Sequence, residues 1–301
     1  MIKYRYLEDL KGYGHFSKDF MKVSAFLAEM HQDINKNISF PWGRWEWMFS
    51  LPYLDPDYLD NIGVFEDDGK IVGLITYESK FGEAYYVLSD HYLYLRKEII
   101  QNAIRDLQSS EGFRMLILDD DHEMQKIALK NGLVASEDKE QLAAIDLNQD
   151  LDYELPEGYS ITNMKDNFDL KKYHQVLWRG FNHAGEPTMT EKDLTDRKIS
   201  LSAPHIDLSR HVAVVTPHGE FVSYCGTWYH DGHFVAMVEP VATDPTYRKM
   251  GLGKSAVYES LRRCQKAGAK IAIVGSGQSF YYKIGFYPLA TFTWWKLEDK
   301  S

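Results

Sequence analysis

Val241-Ala-Thr-Asp-Pro-Thr-Tyr-Arg-Lys-Met-Gly-Leu-Gly-Lys254 gives the clearest indication of the fold of this 301-residue chain. Its β-like start turns into a helix through Arg248-x-x-Gly251-x-Gly253. Glycines let the main chain turn sharply and bring its N–H groups close to a ligand. The first N–H groups of a helix lack partners within the helix, and the helix dipole adds partial positive charge there. The stretch therefore predicts a phosphate seat, with formal charge added by Arg248, Lys249 and Lys254.

The flanking sequence predicts a strand, a helix and a second strand around this seat. His233–Val238 reads as a strand, Leu252–Lys266 as an amphipathic helix, and Lys270–Val274 as the next strand. The phosphate loop of nucleoside triphosphatases is excluded, because no Gly-x-x-x-x-Gly-Lys-Ser/Thr occurs. A dinucleotide fold is disfavoured as well, since the second strand ends in Gly275-Ser-Gly277 without the expected carboxylate.

A second motif, Phe280-Tyr-Tyr-Lys-Ile-Gly-Phe286, lies about 30 residues after the first. The two motifs in this order closely resemble the GNAT superfamily of N-acetyltransferases. The resemblance implies that the strand–loop–helix unit holds the diphosphate of acetyl-CoA and that the second motif closes the acetyl site. Acetyl-CoA is expected as the acyl donor, and no metal cofactor is expected.

The chain also repeats itself. Asp68-Gly69 and His218-Gly219 are turn pairs between apolar runs, 150 residues apart, and Gly82 and Gly232 repeat that spacing. Each half reads strand–strand–strand–helix–strand–helix–strand. We therefore expect an α+β fold of α/β type with two tandem GNAT-like domains, 1–150 and 151–301, each a mixed, mostly antiparallel twisted sheet flanked by helices.

The first domain is expected to have lost its cofactor site. The stretch that corresponds to the phosphate seat, Leu88–Leu95, has no glycine and carries Asp90, whose charge would repel a phosphate. The position that corresponds to Tyr281 is Ala128. Domain 151–301 is therefore predicted to be the catalytic one.

Amine acetylation needs a proton acceptor for the amine, a donor for the oxyanion and an acid for the leaving thiolate. The resemblance makes Tyr281 the acid, with a core tyrosine as the alternative and Tyr282 as its neighbour. Glu239 is the candidate base, on the face of Val241 and Thr243 by strand alternation, unless it simply points outward beside Pro240. The predicted cofactor contacts are Val241, Ala242, Thr243, Arg248, Lys249, Met250, Gly251, Leu252, Gly253 and Lys254.

One position departs from the family pattern. Many relatives carry an asparagine that helps to hold the cofactor seven residues before the tyrosine, where this chain has Val274. Ser276 or Gln278 are candidates to replace it.

The sequence indicates the pocket for the acyl acceptor less clearly than the cofactor site. The resemblance places the loop Trp178–Thr188 over the acceptor, where Phe181, His183 and Glu186 would shape a pocket unless the loop packs on its own domain. The aromatic run Phe40–Phe49 would either wall the acceptor site or, more simply, bury a domain–domain contact. His230-Asp-Gly-His233 reads as a tight turn rather than a zinc site, since no further Cys/His cluster supplies ligands.

The composition of the chain argues against several classes of function and location. Residues 1–150 hold 16 Lys+Arg and 27 Asp+Glu, a net charge of −11, and the rest nets +1. This acidity argues against nucleic-acid binding and is compatible with a cationic amine acceptor. The chain has no apolar run long enough for a membrane span, no signal-peptide core at its start, and two widely spaced cysteines, so a cytoplasmic location is expected.

The expected function is transfer of acetyl from acetyl-CoA to a primary amine by direct attack in a ternary complex. The alternatives are a non-catalytic module that binds acyl-CoA for regulation, and an enzyme that transfers a different acyl group.

Overall fold

The structure is a computed structural model, and it describes residues 1–32, 34 and 38–298. Elements of the N-terminal half are β1 (Lys3–Tyr6), α1 (Lys18–Met30), α2 (Trp42–Met48), β2 (Gly63–Asp67), β3 (Lys70–Thr76), β4 (Glu83–Leu88), α3 (Arg96–Leu107), β5 (Arg114–Leu118), α4 (His122–Lys130) and β6 (Leu133–Asp146). Elements of the C-terminal half are β7 (Ser160–Asn163), α5 (Leu170–Gly180), α6 (Glu191–Ile199), β8 (Val212–Val215), β9 (Phe221–Tyr229), β10 (Val235–Thr243), α7 (Leu252–Ala267), β11 (Ile271–Val274), α8 (Ser279–Lys283) and β12 (Tyr287–Leu297).

The two halves repeat one order of elements, as the glycine spacing predicts. Each half begins with a strand and two helices, and three strands, a helix, a strand, a further helix and a last strand follow. The first strand and the three after it pair antiparallel, as β1–β4 and as β7–β10. In both halves the two strands that flank the third helix pair in parallel, β4 with β5 and β10 with β11. The turn at Asp68-Gly69 has positive φ at both residues, 46° and 80°, and Gly219 has φ 86°. The α+β fold with mixed, mostly antiparallel sheets is confirmed.

The chain divides into two compact units whose limits differ from the expected 1–150 and 151–301. The first unit is Met1–Leu142 with Gly275–Gly277 and a segment that begins at Pro288, and the second is Ala143–Val274 with Gln278–Tyr287. Strand pairing explains the difference. The end of β6 pairs with β11, whereas Phe292 to Lys296 of β12 pair with β5. Which domain is catalytic stays a prediction.

In the first unit, the stretch that corresponds to the seat forms a 3₁₀ helix, Asp90–Leu95, that runs directly into α3. The aromatic run Phe40–Phe49 is part of this unit's own core. Phe40, Trp45 and Phe49 are completely buried, and the rings of Trp45 and Phe49 pack on Phe20 of α1 at 5.6 and 5.1 Å. This local packing accounts for their burial.

The sheet of the second unit carries helices on both faces. Val257 and Leu261 of α7 pack with Val238 in one apolar cluster, and Leu177 of α5 packs with Ala242 in another. Within the described residues, no helix is both long and apolar enough to cross a membrane. This arrangement directs the ends of α5 and β10 and the start of α7 toward a common place.

Candidate active site

A groove of about 740 Å³ opens where these elements meet in the second unit. Its wall comes from four segments: the end of α5, the end of β10, the loop into the first turn of α7, and α8 with the residue before it. Nine of the predicted site residues line it, namely Val241, Thr243, Arg248, Lys249, Gly251, Leu252, Gly253, Lys254 and Tyr281. The side chains of Glu239, Ala242 and Met250 are not part of the lining.

The first turn of α7 presents main-chain donors to this groove. Gly251, the residue that caps the helix, has φ 82°, a left-handed conformation that glycine adopts without strain. The N–H of Ser255 makes the first helical bond, to the carbonyl of Gly251 at 3.0 Å. The three N–H groups before it, of residues 252–254, therefore precede the helical ladder and point out of its N-terminus. With the helix dipole behind them, they form a site suited to a phosphate group.

Gly253 is needed for the close contact between this turn and the opposite walls. A Cβ atom at position 253 would lie 3.1 Å from Oγ1 of Thr243 and 3.3 Å from the ring of Phe280. These distances are tighter than most real Cβ contacts, so a side chain here would enter the groove and push its walls apart. The motif glycine therefore keeps the seat open.

The three basic side chains predicted to surround the phosphate seat differ in their exposure and in their contacts. Lys249 is exposed and has a left-handed main chain with φ 65°. Lys254 is half-buried, with Nζ 4.7 Å from the ring centre of Tyr258. Arg248 donates from Nε to the carbonyl of Thr243 at 3.1 Å and from Nη2 to the carbonyl of Gly180 at 2.8 Å. Its guanidinium thus holds neighbouring main chain together.

An opening between two strands extends the groove. The parallel register of β10 with β11 covers only Val235 to Met237. Beyond this point the described part of β10 continues to Thr243 in register with β9 alone. Val241 and Thr243, which belong to this stretch, line the groove. Where two strands separate in this way, the unpaired edge of one strand can bind an extended ligand through main-chain hydrogen bonds.

Tyr281 lies on α8 in the groove wall and is 8 % exposed. Its ring packs edge-on against Phe280 and Phe286 at 5.1 and 5.4 Å. Burial, with smaller contributions from Cys225 and Glu239, raises the pKa of its hydroxyl well above the usual value. The hydroxyl is therefore protonated at neutral pH, as a proton donor must be. Tyr282, the neighbouring alternative, is half-buried.

Glu239 lies at an irregularity that strand alternation does not anticipate. The register with β9 shifts between Val238 and Val241, so residues 239 and 240 form a bulge. The carbonyl of Glu239 accepts a 3.0 Å hydrogen bond from Nε1 of Trp228. Its carboxylate contributes to the pKa of Tyr281, although its side chain does not line the groove. The expected common face with Val241 and Thr243 therefore does not follow from alternation.

Sequence reasoning missed part of the wall that comes from α5. Gly180 and Asn182 line the groove beside Phe181, and Tyr247, Ser279 and Phe280 line it too. A Cβ at position 180 would lie 2.6 Å from Cβ of Ala242 and 2.9 Å from the main-chain nitrogen of Thr243. The glycine at the end of an amphipathic helix was the available signal.

Other candidate residues fall in different places. Val274 is buried in the core, whereas Gln278 lines the groove. His183 and Glu186 line a second cavity of about 590 Å³ together with Arg179, which donates to Glu186 at 2.8 Å. The loop 178–188 is thus divided between the groove and this cavity.

His230 and His233 flank a turn, and their rings stack at 4.4 Å. The part of the chain that the structure describes contains no group of three or more His, Cys, Asp or Glu arranged to hold a metal ion.

Comparison with known proteins agrees with this geometry. Residues 170–287 match the Acetyltransferase (GNAT) family. The fold is similar to that of a GCN5-related N-acetyltransferase from Sphaerobacter thermophilus, with a TM-score of 0.59 and 13 % identity over 99 % of this chain and 96 % of that chain. A tandem GNAT protein from the clavulanic acid biosynthesis pathway has a TM-score of 0.59 and 11 % identity over 100 % of both chains.

A third similar fold is that of Saccharomyces cerevisiae N-myristoyltransferase with bound myristoyl-CoA. The TM-score is 0.54 and the identity 11 %, over 100 % of this chain and 79 % of that chain. No curated protein sequence matches this chain. At these identities the structural similarity shows the fold alone.

Proposed function

We propose that this protein transfers acetyl from acetyl-CoA to a primary amine and that residues 170–287 form the acetyltransferase domain, since they match the GNAT family. One observation carries the proposal: a glycine-capped helix N-terminus, the open edge of β10 and a protonated tyrosine share one groove. Each matches one part of the donor, in the order diphosphate, pantetheine arm and thioester sulfur.

The residues of the chain have separate tasks in this reaction. The N–H groups of residues 252–254 bind the diphosphate, and the main chain of Val241, Ala242 and Thr243 binds the pantetheine arm. The amine nitrogen attacks the thioester carbonyl carbon in a ternary complex, without a covalent acyl-enzyme. A main-chain N–H near Val241 stabilises the oxyanion.

Two proton transfers complete the reaction. When the C–S bond breaks, the Tyr281 hydroxyl gives its proton to the leaving thiolate. The amine loses its proton to Glu239, and a water molecule bridges the two because the Glu239 side chain lies outside the groove lining. The buried free cysteines Cys225 and Cys264 favour the reducing environment of the cytoplasm as the place of this reaction.

The test is release of free coenzyme A thiol from acetyl-CoA across a library of amines, with mass spectrometry of the acceptor. We expect amine-dependent thiol release and an acceptor heavier by one acetyl group. Measurable acetyl-CoA binding without any thiol release would instead support a non-catalytic acyl-CoA-binding module. Faster release from a longer acyl-CoA would reassign the acyl group.

A further inference from the structure

Phe181 is the first residue after α5, and it places an apolar ring in the wall of the groove while remaining half-exposed. A phenyl ring left open to solvent inside a ligand groove offers a flat surface for a flat partner. The residues on both sides of it are held by one side chain. Nη2 of Arg248 donates to the carbonyl of Gly180 at 2.8 Å and to Oδ1 of Asn182 at 3.0 Å.

The main chain around Phe181 is fixed by further contacts. Its N–H donates to the carbonyl of Leu177 at 3.0 Å, and the N–H of Asn182 donates to that of Arg179 at 3.0 Å. Gly180 approaches β10 so closely that no side chain fits there. The ring is therefore presented by a rigid helix end, as a preformed binding surface requires.

The position of Phe181 along the groove indicates which part of acyl-CoA it meets. Gly180 packs on β10 at Ala242 and Thr243. Thr243 is two residues, or about 7 Å, beyond Val241, which in the proposed reaction lies nearest to the thioester carbonyl. Arg248, which brackets Phe181, belongs to the loop that leads into the diphosphate seat. Phe181 thus lies at the diphosphate end of the groove, where the nucleotide half of the ligand begins.

We propose that Phe181 is the platform on which the adenine ring of acyl-CoA packs, and that Arg248 is a positioning residue that holds this platform. The inference rests on the proposed function, because it assumes that acyl-CoA occupies the groove. Adenine has two flat apolar faces, and stacking of a base on an aromatic side chain needs no specific hydrogen bonds. Arg248 acts here through Gly180 and Asn182, not through a phosphate.

The experiment compares coenzyme A with 4′-phosphopantetheine by calorimetry. 4′-Phosphopantetheine lacks the adenosine together with the second phosphate of the diphosphate and the 3′-phosphate, so the effect of each variant is measured against wild type for each ligand separately. Phe181→Ala is expected to weaken coenzyme A binding about tenfold, the effect of losing one base–aromatic stack, and to leave 4′-phosphopantetheine binding unchanged. Phe181→Trp should keep the wild-type affinity for both. Phe234→Ala is the matched control, since Phe234 is 53 % exposed in the same unit and lies outside the groove lining.

Arg248→Gln should give the same pattern as Phe181→Ala, and the double variant should be no weaker than the worse single variant. Equal weakening of both ligands by Phe181→Ala would overturn the platform, because the ring would then contact the pantetheine arm. No change for either ligand would overturn it too. A wild-type protein that binds neither ligand would instead refute the proposed function.

Discussion

Replacing Gly253 by aspartate tests most directly whether the first turn of α7 forms the phosphate seat. A carboxylate at this position would lie within about 4 Å of a bound diphosphate, and two unit charges at that distance repel by about 4 kcal/mol at an effective dielectric constant of 20. Salt screening reduces this value, so a loss of about 2–4 kcal/mol, or roughly 30- to 1000-fold in affinity, is expected at physiological ionic strength.

Gly253→Asn provides the control for size. Both side chains meet Thr243 Oγ1 and the Phe280 ring in the same way, so both share the cost of crowding, but only aspartate adds charge. An acidic residue in the first turn also interacts favourably with the helix dipole, so Gly253→Asp should not lower the melting temperature below that of Gly253→Asn.

The assay is isothermal titration of acetyl-CoA into both variants at low and high salt. The difference between them should shrink as salt is added, because the repulsion is electrostatic. If Gly253→Asp binds acetyl-CoA within about twofold of Gly253→Asn at low salt, the diphosphate does not sit on residues 252–254 and the reasoning about this helix is wrong.

Three further predictions concern other parts of the second unit. Tyr281→Phe should lower turnover by a factor of about 10²–10⁴ in the thiol-release assay, while the affinity for acetyl-CoA stays unchanged. Because the pKa of Tyr281 is raised, the rate of the wild-type protein should not decline near pH 10. Unchanged turnover in Tyr281→Phe would remove Tyr281 from the acid role. His211 is completely buried, and this burial lowers its pKa from 6.5 to about 3. Between these two pH values the unfolded chain binds a proton at His211 that the folded chain does not bind. The free energy of unfolding should therefore fall by about 1.4 kcal/mol for each pH unit from 6.5 down toward 3. Urea titrations of His211→Gln should lose this slope, and an identical slope would contradict the assignment. Gly180→Ala should cost about 1–3 kcal/mol in unfolding free energy by forcing α5 away from Ala242 and Thr243, whereas Gly275→Ala, which meets no atom within 4 Å, should be neutral; equal stability of the two would refute the close contact.

Local signals in the sequence were enough for the order of elements and for the seat. Glycine turns at regular spacing predict the hairpins, and Gly251 predicts the start of α7, because their positive-φ conformations are nearly specific to glycine. Gly253 is required for a different reason, the close contact with Thr243 and Phe280. Most of the predicted cofactor residues consequently meet in one groove.

Features that depend on partners far away in the chain were not predictable. The pairing of β12 with β5 is a choice between similar strand edges, which a single strand's own pattern does not encode. Pro240 marks an irregularity in β10, but the register shift against β9, which decides where Glu239 lies, depends on the partner strand. The use of Arg248 on main-chain oxygens depends on where α5 ends relative to β10.

The place of β12 has a consequence for biosynthesis. This strand is the last one among the described residues, yet it belongs mostly to the unit that begins at Met1 and pairs along β5. On the ribosome, β5 therefore emerges long before its neighbour does, and during that interval its edge offers unpaired N–H and C=O groups to any strand nearby. The pairing of β5 with β12 can form only after residues 292–296 have been synthesised.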